Sequence, residues 1–558
     1  MKKYIILVGF LLFAAPSVYA DTIGQQQVFS VDSQYDIRGR SQITATMRGN
    51  SDRAYVYVAD DYWNTLDETG RTQMTAVIND LTREFNNRIY PLETSFFGSD
   101  PSPGVDHDPH VTLVLTRLIS SVGGYFDNAH SYSRQQISSS NERDMVFLNV
   151  SGTSRSERLF PFLSHEFQHL ISFNQKEQLR SVVDDIWLNE ARSEYAVTLL
   201  GYHMPFSNSI LSHRMQTFLN QPTDSLTEWR NVLADYGQVA LFAEYVAEHW
   251  PAKIIGDTSL TAAVGIPAVT EALARNGRSE TFADVFQYWM AANFLNDRSQ
   301  NPLFGYINPG LAASRVAPTQ MLSNISSIPT SINISMKPWE QRWYDVQLPQ
   351  AGGTYFHVTA DAPANVHISY LLFFTDGTHS LQTDRDVHIP NVGSRVTRVV
   401  LMPYLQDVRA GFGSQENPIP VTLLLSRDDT PPIPIIPKNV SPDYFGLHEG
   451  DFIRADGNIN VYIINQFGYK RIVLSPKICL LYAHLGKRGC FDSIRKVTPE
   501  VRDAFVTSPY YSNGYTKDGK VYKLIETGED TAYLAPDTHA LDNEVFFIND
   551  LEQRAYGQ

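Results

Sequence analysis

The sequence predicts a multidomain chain: a mixed α+β domain over residues 21–315, a β-sandwich over 316–427, a proline-rich linker over 428–439 and a small α+β unit over 440–558. Three observations carry this division. A length of 558 residues exceeds what one hydrophobic core fills and points to three or four domains. Helical periodicity is strong up to about residue 315, and beyond it only short strand patterns remain. The run DDTPPIPIIPKN at 428–439 then reads as an extended, semi-rigid spacer.

Composition narrows the class. A hydrophobic fraction of 43%, with 12% aromatic residues, is ample for packed cores and argues against global disorder. The net charge of −15 and the absence of a basic stripe exclude a nucleic-acid partner. Such acidity suits the solubility of a secreted protein.

Residues 1–20 read as a targeting segment: Lys2-Lys3, the apolar run YIILVGFLLFAA, then Val18-Tyr19-Ala20 with small residues at the cleavage-determining positions. The apolar run is short for a membrane span, and no cysteine follows the cleavage point to take a lipid. The mature chain is expected to begin near Asp21 and to be exported, extracellular or associated with the cell envelope. Cys479 and Cys490 are the only cysteines. In an oxidising compartment they are expected to pair; the alternative is two free buried thiols.

Along the chain, residues 21–50 look strand-like, and the sequence leaves open whether they are a prosegment. AYVYVADDYW (54–63) reads as a strand, followed by a helix from about Asp67 to Tyr90 with Met74, Val77, Ile78, Leu81 and Phe85 on one face. The loop DPSPGVDHDPH carries Asp100, Asp106 and Asp108, candidate oxygen ligands for calcium, with an acidic turn before a strand as the alternative. VTLVLTRL is a buried strand, SSVGGYFDNAHSYSR a loop, and ERDMVFLNV (142–150) the last strand before the central motif. LADYGQVALFAEYVAEHW (233–250) and SETFADVFQYWMAANFL (279–295) are strong helices. WYDVQLP, TYFHVTA, HISYLLFF, TRVVLMPY and PVTLLLS, separated by turns such as Ala351-Gly352-Gly353 and Asp376-Gly377, supply the sandwich pattern.

The motif is FPFLSHEFQHLISF. Phe160, Leu163, Phe167, Leu170 and Ile171 recur at helical spacing, and Pro161 suits a first turn. His165 and His169, one turn apart, lie on one face and can hold a single metal ion, with Glu166 beside it. Two imidazoles on zinc need a third protein ligand and leave a position open for water. The second apolar-periodic helix, IWLNEARSEYAVTLL, supplies Glu190 about 20 residues beyond His169, and Glu194 one turn later, where a carboxylate can accept the free ring N–H of a ligating histidine. Tyr236, at a helix start beside Gly237, is a candidate for hydrogen-bonding an oxyanion, with a core or capping tyrosine as the alternative. His203, His213 and His249 are weaker candidates for a role in the site.

HEFQHLISFN followed by WLNEARSEYA resembles the hyicolysin-type metallopeptidases, a branch of the gluzincins. The resemblance spans roughly residues 25–310 and implies a zincin-like (gluzincin) fold there. It implies zinc on His165, His169 and Glu190, Glu166 as general base, and Asn189 and Glu194 as supports behind the ligands. Ala191-Arg192 depart from the family pattern. In folds of this kind the strand at 142–150 is the sheet edge that pairs with an extended substrate. GGYFD is similar to a segment of the same relatives. The terminal unit, with EGDFIRA, VYIIN, GYKRIVL and VRDAFVTS, resembles a module at the ends of exported proteins from uncultured bacteria, and its position suggests a cell-envelope contact.

The expected activity is therefore peptide-bond hydrolysis by a zinc-activated water, with Glu166 as base and a protein or peptide as substrate. A serine mechanism has no support, since no G-x-S-x-G surrounds Ser164. The rival reading is an adhesion or binding protein of the cell envelope on a zincin scaffold, for which the intact Glu166 has no use. Hydrolysis of a non-peptide amide fits the same motifs.

Overall fold

The computed structural model describes residues 20–556 apart from 152–154, 323–329, 349–353, 364, 407–417, 429–440, 456, 514–519, 529–530, 539–542 and 549. The targeting segment up to Tyr19, the linker beyond Asp428 and the Ala351-Gly352-Gly353 turn lie outside the described residues. The chain divides into two compact units, Met1–Pro431 and Pro432–Gln558.

The first unit opens with a six-stranded sheet. Its strands are β1 (Gln26–Ser30), β2 (Gln42–Asn50), β3 (Ala54–Ala59), β4 (Val111–Thr116), β5 (Gly124–Tyr125) and β6 (Met145–Asn149), in the order β1-β2-β3-β4-β6-β5. β3, β4 and β6 run parallel, and β1, β2 and β5 are antiparallel to their neighbours. β3 and β4 are buried along their whole length because both faces are covered, as expected of parallel strands. Val56, Val58, Leu113, Leu115, Val146 and Leu148 face the helices. Tyr55, Tyr57, Val114 and Phe147 face a second core with Phe29, Ile43 and Met47.

Residues 26–50 are thus integral to the sheet. Asp21 is held there too, accepting from the Tyr57 hydroxyl at 2.8 Å and pairing with Arg143. The expected strand at 54–63 stops at Ala59, where Asp60 begins a helical turn. The following helix, Glu68–Glu84, is capped by Asp67, which accepts from Gly70 N–H at 2.7 Å. It ends at Glu84, short of the expected Tyr90; a π-helical turn, Phe85–Ile89, follows and leads into a further helix, Tyr90–Phe97.

The helical layer consists chiefly of Phe160–Phe173, Ile186–Leu199, Ile210–Asn220, Leu233–His249 and Phe282–Leu295. Its core runs on without a break into Trp339, Trp343, Leu371, Met402 and Tyr404 of the following β region. Polar groups at that junction are paired: Trp343 Nε1 donates to the Met290 carbonyl at 3.0 Å, Asn293 to Gln341 at 2.9 Å and Gln287 to Tyr404 at 3.1 Å.

The expected short strands over 316–427 are present, but not as two separate sheets. Among the described residues nine strands form one sheet that curls on itself, and the strand pairing between its two limbs runs through Val392–Val396. Inward residues of both limbs, including Ile334, Phe356, Val358, Ile368, Val399, Leu401 and Leu423, share one core. Curling one limb over the other buries apolar surface that a flat sheet would leave in water.

The second unit is a small α+β fold with a five-stranded and a four-stranded sheet. Cys479 and Cys490 are disulfide-bonded, with Cα atoms 4.9 Å apart, as expected. Arg471 and Glu552, both buried, form a bidentate pair at 2.5 and 3.0 Å that ties the helix Asp550–Ala555 to the sheet. No helix among the described residues is long and apolar enough to cross a membrane.

Candidate metal centre

The helix Phe160–Phe173 buries Leu163, Phe167, Leu170 and Ile171 completely against the sheet and turns His165 and His169 the other way. Ser164 also points inward, toward the buried Glu93 carboxyl, and is no exposed nucleophile. The returning helix, Ile186–Leu199, buries Trp187, Leu188, Ala191 and Ala196 and presents Glu190 to the two histidines. Arg192, two residues beyond Glu190, ties this helix to the segment before it. It is fully buried, pairs with Asp184 at 2.7 Å and donates to Ser172 at 3.2 Å and Thr258 at 3.3 Å.

Among the described residues, His165, His169 and Glu190 are the one group of three side chains that converges as a metal site does. The two Nε2 atoms lie 3.2 Å apart, and Glu190 Oε2 is 3.3 Å from His165 Nε2 and 3.7 Å from His169 Nε2. Ligands about 2.0–2.1 Å from a tetrahedral zinc ion would stand roughly 3.3–3.4 Å from one another. The donor set of two imidazoles and a carboxylate is one zinc accepts, so the residues present fit the ion.

The surroundings reinforce that fit by fixing a tautomer. The Gln168 amide donates to Ser172 at 2.9 Å, so its carbonyl oxygen receives the Ser193 hydroxyl at 2.6 Å. With its proton directed to Gln168, or to the Asn189 carbonyl at 3.3 Å, Ser193 Oγ accepts from His169 Nδ1, 3.1 Å away. The lone pair of His169 Nε2 is thereby left facing Glu190 and His165. Glu194 lies behind the other histidine, with Oε1 at 3.7 Å from His165 Nδ1. That separation is longer than a hydrogen bond. The carboxylate is instead gripped by Arg214, at 3.0 Å to Oε2 and 2.6 Å to Oε1. Asn189 accepts from Arg192 at 3.4 Å and also hydrogen-bonds His169.

Electrostatics follow from this crowding. Burial opposes the charged form of His165, but the Glu190, Glu166 and Glu194 carboxylates outweigh it and push its pKa up to about 9. Burial takes His169 down to about 4. Burial pushes Glu166 up to about 7 against the pull of His165; Glu190 and Glu194 add to the rise, and the Phe126 N–H opposes it.

That Phe126 contact revises the expected substrate edge. The outer side of β6 is already paired with β5, so the sheet edge next to the site is Gly124–Tyr125, within GGYFD, and not 142–150. Gly124 is required there: a Cβ would stand 2.8 Å from the Phe147 carbonyl oxygen and 3.0 Å from Glu166 Cγ.

Tyr236 flanks the site without entering the ligand cluster. Its hydroxyl donates to Asn231 at 3.2 Å, and Arg214 stacks 4.4 Å from its ring centre. Burial and the charges of Glu190 and Glu194 raise its pKa and keep it protonated. Gly237 lets the helices meet, since a Cβ would lie 2.9 Å from Phe218 N. The calcium candidates are occupied as hydrogen-bond acceptors: Asp100 from Tyr90 at 2.9 Å, Asp106 from the Asp108 N–H at 3.1 Å, and Asp108 from Tyr55 at 2.9 Å and from His110. His203 bonds Thr198 at 2.9 Å and His249 the Gly305 carbonyl at 2.8 Å, so neither joins the site.

No protein-family profile matches the chain. Over 226 residues it is 27% identical to the Neutral metalloprotease ShpI of Staphylococcus hyicus, a stretch that covers 36% of this chain and 47% of that protein. The chain thus spans about half the length of that relative. Among solved structures, the Aeromonas hydrophila periplasmic inhibitor of g-type lysozyme, PliG, matches 20% of the chain and 96% of its own, at 11% identity and a TM-score of 0.15. The pre-peptidase C-terminal domain of a Bacillus anthracis collagenase matches 20% and 97%, at 12% identity and a TM-score of 0.13. Scores this low carry no argument about fold or function. The chain thus combines similarity to a metalloprotease over 226 residues with a His-His-Glu cluster able to hold a metal ion.

Proposed function

We propose that the chain is an exported zinc metalloendopeptidase whose first domain is of the zincin-like, gluzincin type. The observation that carries this reading is the convergence of His165, His169 and Glu190 with Glu166 beside them on the same helix. Zinc held by those three residues would supply Lewis-acid activation of water and of the scissile carbonyl. Glu166 takes the proton of the attacking water and returns it to the departing amine, a role suited to a carboxyl with a pKa near 7. Ser193 and Gln168 hold the His169 tautomer, while Arg214 and Glu194 back His165. Tyr236, once its hydroxyl turns from Asn231, is the protonated donor to the developing oxyanion from the flank. The edge at Gly124–Tyr125 pairs with the extended peptide backbone.

Casein hydrolysis by the mature chain tests the reading. Activity should vanish on chelation and return with zinc. A zinc-replete protein that cuts neither casein nor a peptide library would remove it in favour of a binding scaffold.

A further inference from the structure

A cavity of about 290 Å³ opens beside His169 and Glu190, bounded by Phe126, Asp127 and Asn128 on one side and by Phe173, Glu177 and Ile186 on the other. Its size is that of one side chain rather than of a folded partner. Most charges in its wall are satisfied within the protein. Arg192 pairs with Asp184 at 2.7 Å. Lys176 directs its ammonium to the Thr261 and Ala263 carbonyls, at 3.0 and 2.7 Å, and stands 3.7 Å from Asp184.

Glu177 differs. Its half-buried carboxylate accepts only from neutral groups, the Asn128 amide at 3.2 and 3.4 Å and the Tyr132 hydroxyl at 3.5 Å. Burial raises its pKa, and among the described residues no cation offsets that. Asp127 adds a second negative charge on the neighbouring edge segment, with one oxygen used by the Ala129 N–H at 2.9 Å. A carboxylate drawn partly out of water without a counter-charge is costly, and a ligand cation relieves that cost. Phe126 and Phe173, with ring centres 6.1 Å apart, add aromatic surface on which a guanidinium stacks.

We infer that Glu177 makes this cavity a recognition pocket for the arginine or lysine side chain next to the bond that is cut, so that the substrates are basic polypeptides. The inference rests on the proposed peptidase activity of the same site. The overall charge of −15 acts in the same direction, drawing cationic chains toward the protein.

The test is a binding measurement that needs no turnover. Two product-like peptides, identical except for arginine in one and its neutral isostere citrulline in the other, are titrated by calorimetry into zinc-loaded Glu166→Gln protein. The arginine peptide should bind about 10-fold tighter or more, and the ratio should fall to about one in the Glu166→Gln/Glu177→Gln double variant. Equal affinities in the parent, or an arginine preference that survives loss of the Glu177 charge, overturn the inference. The parent ratio alone decides against the pocket if the double variant does not fold. A peptide-library digest with the zinc-loaded wild type should place a basic residue at one fixed position. Absence of any cleavage there would remove the peptidase reading, while the affinity ratio would still judge the pocket.

Discussion

Arg214 holds Glu194 in a two-pronged grip, at 3.0 and 2.6 Å, and so keeps a carboxylate 3.7 Å behind the ring of His165. The two residues come from different helices, Ile210–Asn220 and Ile186–Leu199. A buried carboxylate gripped in this way stays in place, which is what a ligating imidazole needs at its back.

Glu194→Ala and Arg214→Ala are therefore expected to weaken zinc affinity or activity by about 10–100-fold without unfolding the domain. Arg214→Lys should recover only part of the loss, because an ammonium cannot reproduce the planar fork. Zinc titration with a competing chelator reads this out. Parent-like affinity in both alanine variants would leave the pair a structural ion bridge.

Ser193→Ala should also weaken zinc binding, by about 10-fold, through a different atom. Its hydroxyl proton is directed to Gln168 at 2.6 Å, or to the Asn189 carbonyl at 3.3 Å, so it accepts the Nδ1 proton of His169 at 3.1 Å. Without it the ring can take the other tautomer, which puts a proton where the metal lone pair belongs. Nitrogen NMR of the metal-free protein should report a mixture of His169 tautomers in the variant and one tautomer in the parent.

Zinc affinity should depend on pH through His165. In the metal-free protein its pKa is raised to about 9 by the surrounding carboxylates, so at pH 7 the ring carries a proton that must leave before zinc binds. Affinity should rise about tenfold per pH unit below pH 9 and then level off. Calorimetry at pH 7 in buffers of different ionisation enthalpy should detect the released proton. A flat affinity between pH 7 and 9 would contradict the assignment.

The Cys479–Cys490 bond closes a short loop, with a sequence separation of 11, and should stabilise the C-terminal unit by about 3 kcal/mol. Reduction should lower hydrogen-exchange protection in the strands Phe452–Ala455 and Tyr469–Ile472 and leave the helix Phe160–Phe173 unchanged. Equal protection in both redox states would show that the loop is held without the bond.

The ligand pair on Phe160–Phe173 was legible because helical periodicity fixes which residues share a face, and the same holds for Glu190 and Glu194 one turn apart. Arg214 was not. It sits in SHRMQTFLN, a stretch with no motif, and gains its role only when a third helix packs against the second. The two-residue strand β5 was equally hidden, since Gly124–Tyr125 has no alternation to read, and Gly124 leaves room for the Phe147 carbonyl and Glu166 beside it. In the β region the sequence announced strands but not which ones pair, because partners such as Thr330–Met336 and Ile419–Asp428 lie far apart in the chain and meet only in the folded sheet.

The most direct test of the central claim is turnover per bound zinc in Glu166→Gln. Glu166 is not one of the three residues of the His165, His169 and Glu190 cluster, so the variant should retain one zinc per chain by elemental analysis. With the base gone, its rate of casein hydrolysis should fall by several orders of magnitude. A variant that holds zinc and still cuts at a near-normal rate would contradict the account.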